Sequence, residues 1–257
     1  MPVDTRSRMR TSAKPALDLP PPFRLVTLRE VGDAFAHART IAADTGAGTL
    51  VYVGRFDLAE FAVVLEPEEP LAAARRAFYI GCAALGDALT VHAPPEKLVE
   101  FDWPGTIRVD RGLIGGARLA WPENADENAV PDWLVFGAMI RTVSMGDEEP
   151  GMRPLAAALE DEGFDDATSG QLVESFARHL MVAFDTWQES GFGEIAKNYL
   201  GRLSPENGVR RDIDDNGDLL VRRVSAGLGK AEVERRKLVT ALAAPAWLDP
   251  DTGGPRK

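Results

Sequence analysis

The stretch from Pro70 to Val91 constrains the fold more than any other part of the chain. Proline suits the first position of a helix, and Leu71, Phe78, Cys82, Leu85 and Leu89 then recur at spacings of three and four, with Arg75 the one charged residue in the stripe. A helix this apolar needs another layer to cover it. The chain offers a set of short extended runs: Phe23–Thr27, Thr49–Arg55, Phe61–Glu66 with its Val63-Val64-Leu65 centre, Leu98–Trp103, Thr106–Val109, Leu113–Trp121 and the mostly apolar Trp133–Val143. Asp110-Arg111-Gly112 reads as the turn joining two of them. Helix on sheet is the simplest way to bury both, so the predicted class is α+β: a mixed, mainly antiparallel sheet with packed helices, and a small C-terminal domain containing a β-hairpin.

Further helices are predicted over Gly32–Asp44 (stopped by Gly46-Ala47-Gly48), Pro154–Asp161, Ser169–Gln188 and Phe192–Leu203, with a last one over Lys230–Ala243. Residues 1–22 carry Arg6, Arg8, Arg10 and Lys14 and close in Pro20-Pro21-Pro22, which reads as a flexible leader. A composition change at Ser204-Pro205 divides a main domain, 23–203, from a small one, 204–245, before a Pro/Gly-containing tail, 246–257. In the small domain, Asn216-Gly217 between Val209–Ile213 and Leu219–Arg223 is a hairpin signal.

Forty acidic residues against 29 basic ones leave a formal charge of −11, which opposes non-specific nucleic-acid binding. The only cysteine, Cys82, falls on the apolar stripe and is expected in the core. Three scattered histidines without ligand spacing give no reason to expect a metal. No run is long enough to span a bilayer and no apolar segment follows the N-terminal arginines, so the expectation is a cytoplasmic protein that works away from membranes.

The segment Phe101-Asp102-Trp103-Pro104-Gly105-Thr106-Ile107-Arg108-Val109, followed by Asp110-Arg111-Gly112-Leu113-Ile114-Gly115-Gly116-Ala117-Arg118-Leu119, resembles the biotin/lipoate protein ligases. There a strand ending in Lys-Trp-Pro-Asn-Asp leads through a turn and a lysine into a glycine-bearing strand. Leu134–Val143 is similar to the family's later apolar strand, and Gly54-Arg55 to the start of its Gly/Arg-rich substrate loop. The resemblance spans about residues 23–225. It implies a cleft for biotin, lipoate or an octanoyl group, with ATP as the activating co-substrate of the ligases, and a biotinyl- or lipoyl-carrier domain whose lysine receives the acyl group. By position it nominates Arg111 as the catalytic cation and Arg55, Trp103, Gly115, Gly116, Arg118 and Arg141 as substrate-binding residues.

Several family positions are changed. The lysine falls on Gly112, the residue before Trp103 is Asp102, Gly105-Thr106 follow Pro104, and Arg141 stands where the later strand carries asparagine. About five residues separate Gly54-Arg55 from the next strand, too few for the long loop that closes over an adenylate. The segment matching that of the octanoyltransferase nucleophile, Val130–Val143, has no cysteine. Two readings therefore stand side by side: a divergent ligase or acyltransferase acting on a carrier lysine, and a catalytically degenerate ligand-binding or scaffold protein of the same fold. Asp57 and Glu60 are a candidate acid–base pair that nothing in the sequence brings together.

Overall fold

The computed structural model describes residues 17–145, 156–164, 167–224 and 231–256. Seven strands form one sheet: β1 (Arg24–Leu28), β2 (Thr49–Val53), β3 (Leu58–Leu65), β4 (Val99–Asp102), β5 (Thr106–Val109), β6 (Gly112–Ala120) and β7 (Leu134–Arg141). Their order is β1-β2-β3-β7-β6-β5-β4. Only β1 and β2 run parallel; every other pairing is antiparallel. The mostly apolar run Trp133–Val143 supplies the central strand: β7 lies between β3 and β6, and both β3 and β7 are buried along nearly their whole length.

Each face of the sheet has a different cover. Helix α1 (Ala34–Thr45) sits on one face, where Ala34, Phe35, Ala38 and Ala42 pack on Val51, Val53, Ala62, Val64 and Val135. Asp33 caps it, its Oδ1 accepting the Ala36 N–H at 2.8 Å, and Gly46 ends it with φ 72°. On the other face lie α2 (Leu71–Ala74), α3 (Ala77–His92), α4 (Ser169–Ser190) and α5 (Phe192–Gly201). Cys82 is wholly buried there. The α3 helix approaches the sheet so closely that a Cβ on Gly81 would stand 2.3 Å from the Phe136 ring. That ring stacks on Phe176 at 5.6 Å.

The helix expected to run unbroken from Pro70 is interrupted at Arg75-Arg76. Arg75 is buried, pairs with Glu127 and lies 4.8 Å from the Trp121 ring centre. Meeting those partners tightens the backbone, so that Arg76, Phe78 and Tyr79 donate to carbonyls three residues back. The predicted helix Pro154–Asp161 is also corrected, with residues 154 and 155 outside the described ones. Ala156 bridges to Leu113, Ala157 and Leu159 donate to Leu113 O and Arg141 O, and only a 3-10 turn follows, over Glu160–Glu162. The ends of β6 and β7 claim this backbone before it can coil.

A three-stranded antiparallel sheet follows: β8 (Val209–Ile213), β9 (Leu219–Val224) and β10 (Ala231–Arg236), in the order β10-β9-β8. The hairpin signal accounts for its first two strands, although Gly217 alone takes a positive φ (81°). Where a helix was expected from Lys230, the described residues form β10 and then α6 (Leu238–Ala243). Pairing with β9 overrides the local helical preference, aided by the Arg223–Glu234 contact at 2.8 Å. Ile213, Leu219, Val221 and Leu238 join the main core, and Tyr79 donates its Oη–H to Gly217 O at 2.6 Å. Among the described residues no helix is long and apolar enough to cross a membrane.

Candidate functional site

A cavity of about 490 Å³ opens on the α1 side of the sheet, at the Leu58 end of β3 and the Arg141 end of β7. That size suits a small ligand. Arg55, Asp57, Glu60, Met139 and Arg141 line it, Gly32 and Asp33 close it from before α1, and Gly253–Pro255 close it from the C-terminus.

Its charges are held by one another. Asp57 takes both arms of Arg55, Oδ1 from Nε at 3.0 Å and Oδ2 from Nη2 at 2.6 Å. This fork lowers the Asp57 pKa and raises that of Arg55. Glu60 is buried and accepts the Ala34 N–H at 2.9 Å. Burial raises its pKa, outweighing that hydrogen bond at the α1 N-terminus. A carboxyl so placed can hold a proton above the usual glutamate range and donate it in a hydrogen bond.

Beside Glu60, Arg118 lies under α1 with its guanidinium 4.3 Å from the Phe35 ring centre and 3.8 Å from Asp33. Desolvation pulls its pKa down, and its buried Nε has no hydrogen-bond partner among the described residues. Arg141 is a hub. Its Nη1 donates to Leu113 O and Ala157 O at 3.3 and 3.0 Å, and its Nη2 to Pro255 O and Arg256 O at 3.0 and 3.1 Å.

Those last two carbonyls belong to a C-terminal strap, residues 245–256, that folds back over the sheet. Trp247 is buried against Leu58, Leu113 and Met139 and donates its Nε1–H to Ala117 O at 3.2 Å. The indole lies on Gly116, where an added Cβ would be 2.4 Å from two ring atoms. Leu248 bridges to Pro255, and Arg256 N–H returns to Trp247 O at 2.8 Å.

The nominated residues therefore divide. Arg55 and Arg141 meet at the cavity, Arg118 lies next to it under α1, and Gly116 lies beneath Trp247. Gly115 meets a backbone need, since a Cβ there would be 1.9 Å from Met139 O. Trp103 packs with the α3-side core, its Nε1–H donated to Tyr79 Oη at 3.0 Å. Arg111 is exposed in the β5–β6 turn at φ 73° and is absent from the cavity lining. Gly112, where the resemblance puts the family's lysine, faces Ala157, whose Cβ would be 2.6 Å from a Cβ on residue 112. Asp57 and Glu60, which the sequence alone does not bring together, both line the cavity. Sequence reasoning misses the strap; its one signal is a tryptophan in a Pro/Gly-rich tail, where so large an apolar side chain demands cover.

The donor set suits a small carboxylate better than a nucleotide. Glu30, Asp33, Asp57 and Glu60 line the same space as Arg55 and Arg141. Among the described residues four acidic side chains line the cavity against two guanidiniums, a balance that opposes the several charges of a triphosphate far more than a single carboxylate, so the lining does not fit ATP.

The profile of the Biotin/lipoate A/B protein ligase family matches residues 19–201. A biotin–[acetyl-CoA-carboxylase] ligase from Paracoccus denitrificans is 24% identical, the match covering 62% of this chain and 72% of that one. Among solved structures, a biotin protein ligase-like protein of unknown function from Silicibacter sp. TM1040 superposes with a TM-score of 0.74 at 29% identity, over 88% of this chain and 99% of the other. The biotin protein ligase of Aquifex aeolicus in complex with biotin and ATP gives a TM-score of 0.58 at 14% identity, over 82% and 99%. At that identity the likeness speaks for the fold alone.

Proposed function

The chain belongs to the biotin/lipoate A/B protein ligase family, and from that premise we propose that it binds a small carboxylic acid of the biotin, lipoate or octanoate class in the Arg55–Arg141 cavity, without activating it through ATP. One observation carries the reading. Gly112, where the resemblance puts the family's lysine, packs against Ala157, while a cavity lined by Arg55 and Arg141 lies at the Leu58 end of β3 and the Arg141 end of β7. Recognition thus outlives the cation that would stabilise charge at the acyl centre.

Within the cavity Arg141 supplies positive charge to the acid, and Arg55, oriented by Asp57, a second cationic edge. Glu60 with a raised pKa donates to an oxygen of the ligand when protonated. Leu58 and Met139 cover the aliphatic part.

A second reading, transfer of a biotinyl, lipoyl or octanoyl group to a carrier lysine, is favoured by the Paracoccus relative, whose name is that of a carboxylase-biotinylating ligase. Calorimetry of the full chain with biotin, lipoate and octanoate, joined to mass spectrometry of a carrier domain with ATP or with an acylated donor carrier, separates the two. Binding without a mass shift is the expected result. A mass shift selects the second reading, and silence in both assays overturns ligand recognition altogether.

A further inference from the structure

The strap occupies ground that the proposed ligand needs, so a role for it in ligand entry rests on that reading of the cavity. Arg141 Nη2 faces two successive carbonyl oxygens, of Pro255 and Arg256, at 3.0 and 3.1 Å. Two oxygens side by side are also what a carboxylate presents to a guanidinium. The flat Trp247 ring rests on Gly116, the way the body of a ligand would rest on a bare glycine floor.

We propose that residues 245–256 are an internal pseudo-ligand: they compete with a small carboxylic acid for Arg141 and the Gly116 floor, and the acid enters the full slot by lifting them. Three features make the strap separable. It closes on itself through Arg256 N–H to Trp247 O, Asp249 N–H to Gly254 O and Gly253 N–H to Asp249 O, at 2.8, 2.9 and 2.8 Å, so it leaves as one unit whose bonds, once off the sheet, are open to water and fray. Its apolar anchors, Trp247 and Leu248, belong to a small cluster with Leu58, Leu113 and Met139 that is distinct from the main core. Lifting the strap uncovers the wholly buried Trp247, yet a cluster this small can be undone without opening the main core. Finally, Arg141 stays aimed after departure, because Nη1 remains bonded to Leu113 O and Ala157 O.

The test is hydrogen exchange by mass spectrometry on the full chain, with and without saturating octanoate, biotin or lipoate, together with calorimetry on Trp247→Ala. Competition predicts faster exchange of the amides from Trp247 to Arg256 when acid is bound. It also predicts that Trp247→Ala binds acid about tenfold tighter or more, since apparent affinity scales with the open fraction. Acid binding with the strap amides equally protected, and no gain in Trp247→Ala, makes the strap a fixed wall and overturns the competition while leaving ligand recognition intact. Binding to neither chain removes both readings. Should Trp247→Ala melt below the assay temperature, Trp247→Phe gives the same comparison with a smaller ring, and an affinity no higher than the parent's counts against the proposal.

Discussion

Placing a lysine where the resemblance puts the family's, by Gly112→Lys, should cost stability, and the structure sets how much. A Cβ at 112 would stand 2.6 Å from the Ala157 Cβ and 3.3 Å from Val109 O. Ala157 cannot easily retreat: its N–H donates to Leu113 O at 3.0 Å, and its carbonyl accepts from Arg141 Nη1 at 3.0 Å. Forcing extra volume into such a contact costs about 1–3 kcal/mol. For a chain of this size that is a fall in Tm of roughly 2–12 °C. Ala157→Gly removes the obstructing atom, so the double variant should recover a favourable coupling of about 1 kcal/mol or more over the sum of the singles. Thermal unfolding of the parent, both singles and the double, followed by circular dichroism, measures the cycle. A Gly112→Lys chain that melts like the parent, or a cycle without coupling, would refute the close packing on which the degenerate reading leans.

Gly81→Ala should destabilise by about 1–2 kcal/mol although alanine is the better helix former, because the ring of Phe136 lies where the methyl would go; a raised Tm would contradict this. Glu60→Gln should flatten the pH dependence of stability. The raised Glu60 pKa means the folded state holds a proton that the unfolded chain has lost, so the parent gains stability as pH falls through the window just above the ordinary glutamate value, whereas the variant does not. Asp57→Asn acts in the opposite sense. Its lowered pKa contributes stability that is present above the ordinary aspartate value and lost on acidification, so denaturant titrations at falling pH should show the variant losing less than the parent. Arg75→Ala should cost about 1–3 kcal/mol, read by urea unfolding, since it empties a buried position against Trp121 and leaves Glu127, itself half exposed, without its partner.

The sheet is legible in the sequence because burial on both faces writes itself as apolar runs: Leu134–Arg141 and Phe61–Glu66 alone are enough to put β7 and β3 at the centre. Sequence reasoning fails wherever a distant partner overrides local preference. Arg75 breaks its helix to reach Glu127 and Trp121, residues 156–159 are taken up by the open ends of β6 and β7, and β10 is drawn into strand pairing by β9. The site shows the same division. Arg141 ends β7 opposite Leu58, where the register fixes its neighbours, and Arg55 stands two residues past the end of β2. Trp103 shows the limit of such reasoning, because it stands just past β4, in the turn before β5, where the alternation of a strand no longer fixes the direction of the indole. The roles of Glu60 and Trp247 depend on contacts across 26 and 130 residues, with Ala34 and Ala117, and no spacing rule reaches that far.

Tyr79 and Asp218 give the small sheet a grip on distant ground. Tyr79 Oη–H fastens the β8–β9 turn to α3, and Asp218 Oδ1 accepts the Leu238 N–H at 3.0 Å, pinning the first turn of α6. From Ala243, the last residue of that helix, to Trp247 the chain has four steps, a reach of roughly 14 Å even fully drawn out. The C-terminal residues are thus on a short leash whose peg is the small sheet. However far they swing from the glycine floor, they stay within range to return, so the local concentration of the indole there is set by tether length and is indifferent to dilution.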